Sequence, residues 1–213
     1  MLVFKVCVKI KLIQIEIYLK NRLLGYVEVF SMNYLNKVSN LQDYVLSSVN
    51  EYFELIVYSA VSFFLPLMLG HPQIVVGIVV NAMLITAALN LKGYKLWPVI
   101  LLPALGALSR GLLFGPFTIF LVYMIPFIWM GNAILVYVFK TLKLHMKINY
   151  IFSLAAGAGF KTGFLFLAAL TMFKLGFVPA IFLTSMGLFQ LWTALAGGAV
   201  AFAIHYGKKR FAT

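Results

Sequence analysis

Apolar residues run along this chain in long blocks, and the breaks between blocks are short and carry turn residues or cations. From residue 53 onward six blocks succeed one another. The first is 53–69, ended by Gly70-His71-Pro72, and the second is 73–91, ended by Lys92-Gly93-Tyr94-Lys95. The third is 96–114, ended by Gly115-Pro116, and the fourth is 117–139, ended by the basic stretch 140–147. The fifth is 148–173, followed by Lys174, and the sixth lies within 176–206, followed by Lys208-Lys209-Arg210. A helix needs about 20 residues to cross a hydrocarbon core roughly 30 Å thick. The blocks therefore predict an all-α fold, an integral membrane bundle of six transmembrane helices.

Two other patterns precede the blocks. Leu35, Val38, Leu41, Val45, Val49 and Tyr52 recur at helical spacing, with Asn36, Lys37, Asn40, Asp43, Ser47 and Asn50 on the other side. That predicts an amphipathic interfacial helix over 32–52 that runs into the first span. Further upstream, Val6, Val8, Ile10 and Leu12 alternate with Cys7, Lys9 and Lys11, which is a strand period. Residues 1–31 are taken as an N-terminal extension, with a start at Met32 as the alternative. They are no signal peptide, since Lys, Gln and Glu interrupt the apolar run. The expected organisation is extension 1–31, interfacial helix 32–52, membrane domain 53–207 and basic tail 208–213.

Composition agrees with a lipid solvent. The 213 residues are 63% hydrophobic and 10% charged, against about 45–50% and about 25% in soluble domains. The distribution of the +12 net charge decides more than its size. All five acids (Glu16, Glu28, Asp43, Glu51, Glu54) precede residue 55, and residues 55–213 carry 11 Lys or Arg. Eight of these cations (Lys92, Lys95, Lys140, Lys143, Lys147, Lys208, Lys209, Arg210) fall on the side of the termini, against Lys174 and Arg110 on the other. Cytoplasmic loops hold the excess of Lys and Arg, so both termini are expected in the cytoplasm and the protein in the cell membrane. Basic residues spaced between apolar blocks do not form a nucleic-acid footprint, and no nucleic-acid partner is expected.

Cys7 stands alone, and His71, His145 and His205 are far apart in sequence without neighbouring carboxylates. No metal site and no cofactor are expected. There is no Gly-x-Ser-x-Gly elbow, no His-Glu-x-x-His and no P-loop, so the chain is not expected to be an enzyme or to use ATP itself.

The candidate chemistry lies within the spans. Lys161 sits near the middle of the fifth block and Arg110 near the outer end of the third. An intramembrane cation is a functional hypothesis by default. No acid follows Glu54, so balancing charge must come from a ligand, a lipid phosphate, another subunit, or water and carbonyl dipoles. Counted at 1.5 Å per residue, Asn81, Lys161 and Gln190 fall in one layer, with Arg110 above it and Asn132 deeper. With Thr193, these read as the floor and lip of an outward-facing pocket for a small ligand. Interhelical hydrogen bonding is the plainer role for any single amide. Pro126 is expected to kink the fourth helix and free a carbonyl toward the cavity. The small-residue runs 155–159 and 194–199 are expected to allow close helix contact.

The span count and the absence of an ATPase motif resemble the substrate-binding S component of energy-coupling factor transporters. So do the segments Pro72-Gln73-Ile74-Val75-Val76-Gly77-Ile78-Val79-Val80-Asn81-Ala82 and Pro126-Phe127-Ile128-Trp129-Met130-Gly131-Asn132-Ala133. The resemblance covers about residues 50–207. It implies capture of a vitamin, its precursor or a metal from outside, and then work with a transmembrane coupling subunit and an ATPase pair. It also implies a ligand held toward the outer side. The chain departs from the family at 58–64, where Tyr58-Ser59-Ala60-Val61-Ser62-Phe63-Phe64 replaces an Ala-x-x-x-Ala docking motif. The departure bears on whether the coupling subunit is shared or dedicated. The resulting expectation is a subunit that captures a small anionic or carboxylate-bearing nutrient. The alternatives are a structural or assembly subunit of a larger membrane complex and, third, an enzyme acting on lipid.

Overall fold

In the computed structural model the described residues are 32–43, 46–69, 72–114 and 118–211. Among them lie helices α1 (Met32–Ser39), α2 (Ser48–Leu69), α3 (Gln73–Asn90), α4 (Leu96–Phe114), α5 (Thr118–Lys140), α6 (Tyr150–Lys174), α7 (Ile181–Met186) and α8 (Leu188–Phe211), and no strand. A single 3-10 turn, Gly93–Lys95, leads into α4, and a π-helical turn, Thr141–His145, ends α5. The strand-like pattern of 1–31 falls outside the described residues. The chain divides into two compact units, 1–37 and 38–213. Of the first, only the start of α1 is described; helices α2 to α8 all belong to the second.

Five stretches are long and apolar enough to cross a membrane: Ser48–Leu69, Gln73–Asn90, Phe120–His145, Tyr150–Lys174 and Ile181–Lys208. The chain is a multi-pass membrane protein. The third predicted block is the 19-residue α4. It starts next to Lys95, whose ammonium lies 2.8 Å from Glu51 in the first turn of α2. Near its far end Arg110 reaches the Met68 carbonyl in the last turn of α2, at 2.7 Å. Thus α4 accompanies α2 along nearly its whole length.

Two elements differ from the sequence expectation. The amphipathic stretch 32–52 is not one helix: α1 stops at Ser39, residues 40–43 are not helical, and α2 begins at Ser48. The cause is competition for hydrogen bonds. Gln42 Nε2 donates to the Asn90 carbonyl (2.7 Å), and the Asp43 amide donates to the Leu89 carbonyl (2.9 Å). These bonds supply carbonyls at the α3 C-terminus that have no partner within their own helix. The sixth block is also divided, into α7 and α8, at Gly187. A Cβ there would lie 2.7 Å from the Leu183 carbonyl oxygen and 3.1 Å from the Phe166 ring. Glycine lets the break fold tightly against both.

The second half of α3 is buried on all sides, from Leu84 to Asn90. Its Leu84, Ile85 and Leu89 pack with Ile100, Leu135 and Phe139 into the main core. Glycines set the closest helix approaches. At Gly106 on α4 a Cβ would clash with the Phe63 carbonyl of α2. At Gly197 on α8 it would stand 2.6 Å from the Ile78 carbonyl oxygen and 2.8 Å from the Ala82 nitrogen of α3. Such backbone contact gives van der Waals attraction where lipid supplies no hydrophobic force between helices.

One end of the bundle is tied by two ion pairs and a histidine–carboxylate contact. Lys95 pairs with Glu51, Lys208 with Glu54 (2.7 Å) and His205 with Asp43 (2.8 Å). Asn90 Nδ2 donates to Glu54 (2.8 Å) and to the Tyr58 hydroxyl (3.0 Å). Burial works against the charge on Lys95, but the hydrogen bond and charge of Glu51 outweigh it and raise the ammonium above its ordinary value. Lys140, fully buried, donates to the Ala88 (2.9 Å) and Leu91 (2.7 Å) carbonyls and so caps the C-terminus of α3. Asp43, Glu51 and Glu54 are thereby committed to this end.

Candidate functional site

Midway along the bundle, α3, α5 and α6 each present one polar side chain to the interior. Asn81 is the ninth of the 18 residues of α3. Lys161 of α6 and Asn132 of α5 are each only 2% exposed. The lysine ammonium donates to Asn81 Oδ1 at 2.6 Å and to Asn132 Oδ1 at 2.9 Å.

The orientation of both amides is fixed from behind. Asn81 Nδ2 donates to the Gly77 carbonyl (2.9 Å) and to Thr193 Oγ1 (3.2 Å). Asn132 Nδ2 donates to the Ile100 carbonyl (3.0 Å). A carbonyl can only accept, so the NH2 must face it and the amide oxygen must face the lysine. Thr193 in turn donates to the Phe189 carbonyl at 2.7 Å. The three residues form a cradle whose inward groups are acceptors, and such a cradle suits a cationic amine.

Two acceptors do not complete an ammonium, which carries three donors. Beside Lys161 lies a cavity of about 480 Å³, within the ~300–1,000 Å³ range of small-molecule sites. All six residues singled out from sequence line it: Asn81, Arg110, Asn132, Lys161, Gln190 and Thr193. No acidic residue does so among the described residues. The Glu54–Asn90 cluster is nine residues from Asn81 along α3, roughly 13 Å at helical rise. Its carboxylates are therefore too distant to balance Lys161 by contact.

The geometry bears on three of the expected roles. Asn132, counted as deeper than Lys161, is reached by its ammonium at 2.9 Å, a span that the flexible four-carbon lysine stem can cover. For Arg110, main-chain carbonyls are among the groups that meet the charge: its Nη1 donates to the Leu67 (3.3 Å) and Met68 (2.7 Å) carbonyls. It therefore stabilises the C-terminus of α2, where a cation meets the negative end of the helix dipole. Pro126 is exposed and does not line the cavity. The intrahelical prolines that do line it are Pro66 of α2 and Pro103 of α4.

Of the polar lining residues, Gln73 and Ser185 were missed from sequence. Gln73 opens α3 just after a turn and reads as a boundary residue. Ser185 lies in α7, ahead of the break at Gly187. A glycine interrupting an apolar segment is a sequence sign of a binding site in membrane helices, and Met186-Gly187-Leu188 carries it.

The chain matches no protein-family model, no curated protein and no solved structure.

Proposed function

We propose that this chain is a membrane-embedded substrate-capture subunit of a transporter, taking up a small anionic or carboxylate-bearing nutrient such as a vitamin or its precursor. The observation that carries the reading is the Lys161 ammonium, held by two amide oxygens at the wall of a cavity without acids. An unbalanced cation at mid-span costs about 2.5 kcal/mol or more. A ligand carboxylate meeting Lys161 offsets that cost and gains a charge-assisted hydrogen bond.

Six spans, with α4 as the third, both termini cytoplasmic, and residence in the cell membrane belong to the same proposal. The run of α4 alongside α2 and the excess of lysines at the Glu51–Lys95 end support it. So does the resemblance to S components, which brings in a transmembrane coupling subunit and two ATPases as partners. The chain itself performs no chemistry on the ligand. The burial of Lys161 inside the bundle weighs against a structural subunit in which a partner's acid pairs with it.

The test is a thermal-shift screen of the detergent-purified chain against anionic, neutral and cationic metabolites. Stabilisation confined to carboxylates, and lost in Lys161→Met, is the expected result. Equal stabilisation of the variant, or by cations, removes the basis for the proposal.

A further inference from the structure

Hydrogen-bond accounting divides the uncharged polar side chains of the cavity into two groups. Asn81 and Thr193 spend their donors on main-chain carbonyls and on one another, and Asn132 gives one of its two to the Ile100 carbonyl. What Asn81 and Asn132 turn inward is an oxygen already accepting from Lys161. They are positioning residues for the ammonium. The side chains of Gln73, Ser185 and Gln190 have no hydrogen-bond partner among the described residues, although all three line the same cavity.

The second group sits toward the other end of the cavity from the Glu51–Lys95 tie. Gln73 opens α3, eight residues before Asn81, roughly 12 Å along the helix. Ser185 belongs to α7, and Gln190 lies in the first turn of α8, nearly one turn before Thr193. The rest of the wall is largely apolar, with Val80, Ile128, Met186 and Phe189 among its residues. A ligand in the cavity meets the Lys161 cation, apolar surface, and groups that both donate and accept, with the Arg110 guanidinium on the same wall but engaged with the Leu67 and Met68 carbonyls.

We infer that Gln73, Ser185 and Gln190 recognise a neutral donor–acceptor edge, of the lactam or cyclic-amide kind, on the ligand whose carboxylate meets Lys161. A glutamine carboxamide presents an N–H donor and a carbonyl acceptor side by side. A cis-amide edge presents the complementary pair, so one contact satisfies both partners. A ligand with a hydrocarbon end would leave these groups desolvated and unpaired, which a polar-lined site penalises. The inference rests on the capture reading above and narrows its substrate class to an acid with a heterocyclic amide head.

Isothermal titration of the full-length chain in detergent tests it with three probes: 6-oxo-1,6-dihydropyridine-3-carboxylate, benzoate and 2-pyridone. The first carries both the acid and the lactam edge, and each of the others carries one. The lactam acid is expected to bind about tenfold tighter than benzoate, the worth of one or two satisfied hydrogen bonds, and 2-pyridone weaker than either. Gln190→Leu and, separately, Gln73→Leu are expected to collapse the preference for the lactam acid. Each variant's thermal midpoint is measured alongside as the check on folding. If both acids bind equally in a Lys161-dependent way and the glutamine variants change nothing, the inference is overturned and the capture reading stands. If no carboxylate shows Lys161-dependent binding, both fall.

Discussion

Lys161 owes its position to amides that cannot rotate. With Asn132 Nδ2 tied to the Ile100 carbonyl, its oxygen has only one inward target. Replacing that amide by a carboxylate of the same shape gives up the Ile100 hydrogen bond and supplies the missing negative charge from within. Asn132→Asp is therefore expected to abolish stabilisation by carboxylates in a thermal-shift assay while the bundle stays folded. Retained stabilisation would mean that Lys161 does not meet the ligand. At the other end of the protein, the Glu51 contact raises Lys95 above its ordinary value of 10.5. A raised folded value means the contribution is complete below pH 10.5 and fades as pH climbs through the higher folded value. The gap in thermal midpoint between wild type and Lys95→Met should be constant from neutral pH to about pH 9 and shrink above 10.5. A gap that shrinks below pH 9 contradicts the pairing.

Helix positions were legible because lipid imposes one rule on every span: a run of apolar residues ended by polar or turn residues. Blocks 73–91 and 96–114 became α3 and α4 almost residue for residue. Where the rule is silent the reading failed. Helical periodicity over 32–52 was real, but the pull of the α3 C-terminal carbonyls on Gln42 and Asp43 is a tertiary effect with no local signature. The small-residue runs were expected to allow close contact, and their glycines divide sharply by surroundings. Gly197→Ala pushes a methyl against the backbone of α3 and is expected to cost about 1–3 kcal/mol. Gly159, with nothing within 4 Å, is expected to accept alanine at no cost, since alanine favours helix by roughly 1 kcal/mol. Thermal unfolding of both variants in detergent checks the contrast, and equal midpoints contradict this packing.

Across the whole molecule, charge is sorted by depth. The described carboxylates gather at one end and are matched there by Lys95, Lys208 and His205. The middle keeps a single cation among amides, and Arg110 holds the far end of α2. From sequence, Lys161 was recognisable because intramembrane charge is rare, and its company of Asn81 came from counting along spans, which placed Asn132 deeper. The ionic pairs were not recognisable, since Glu54 and Lys208 are 154 positions apart. Neither was the orientation of the amides, which depends on backbone carbonyls that every residue has. The proposed orientation predicts that Lys174→Cys, in a background where Cys7 is replaced by serine, reacts with an impermeant maleimide added outside intact cells. Lys209→Cys in the same background should react only after the membrane is opened. The reverse pattern contradicts the proposed topology.

Native mass spectrometry of the full chain released from detergent bears most directly on whether the mid-span ammonium exists to hold an acid. The account predicts a population carrying one added small molecule that, once ejected, is detected as an anion, and that is missing from Lys161→Met. A wild-type chain that carries no adduct after exposure to a cell extract, or an adduct retained equally by Lys161→Met, would contradict it.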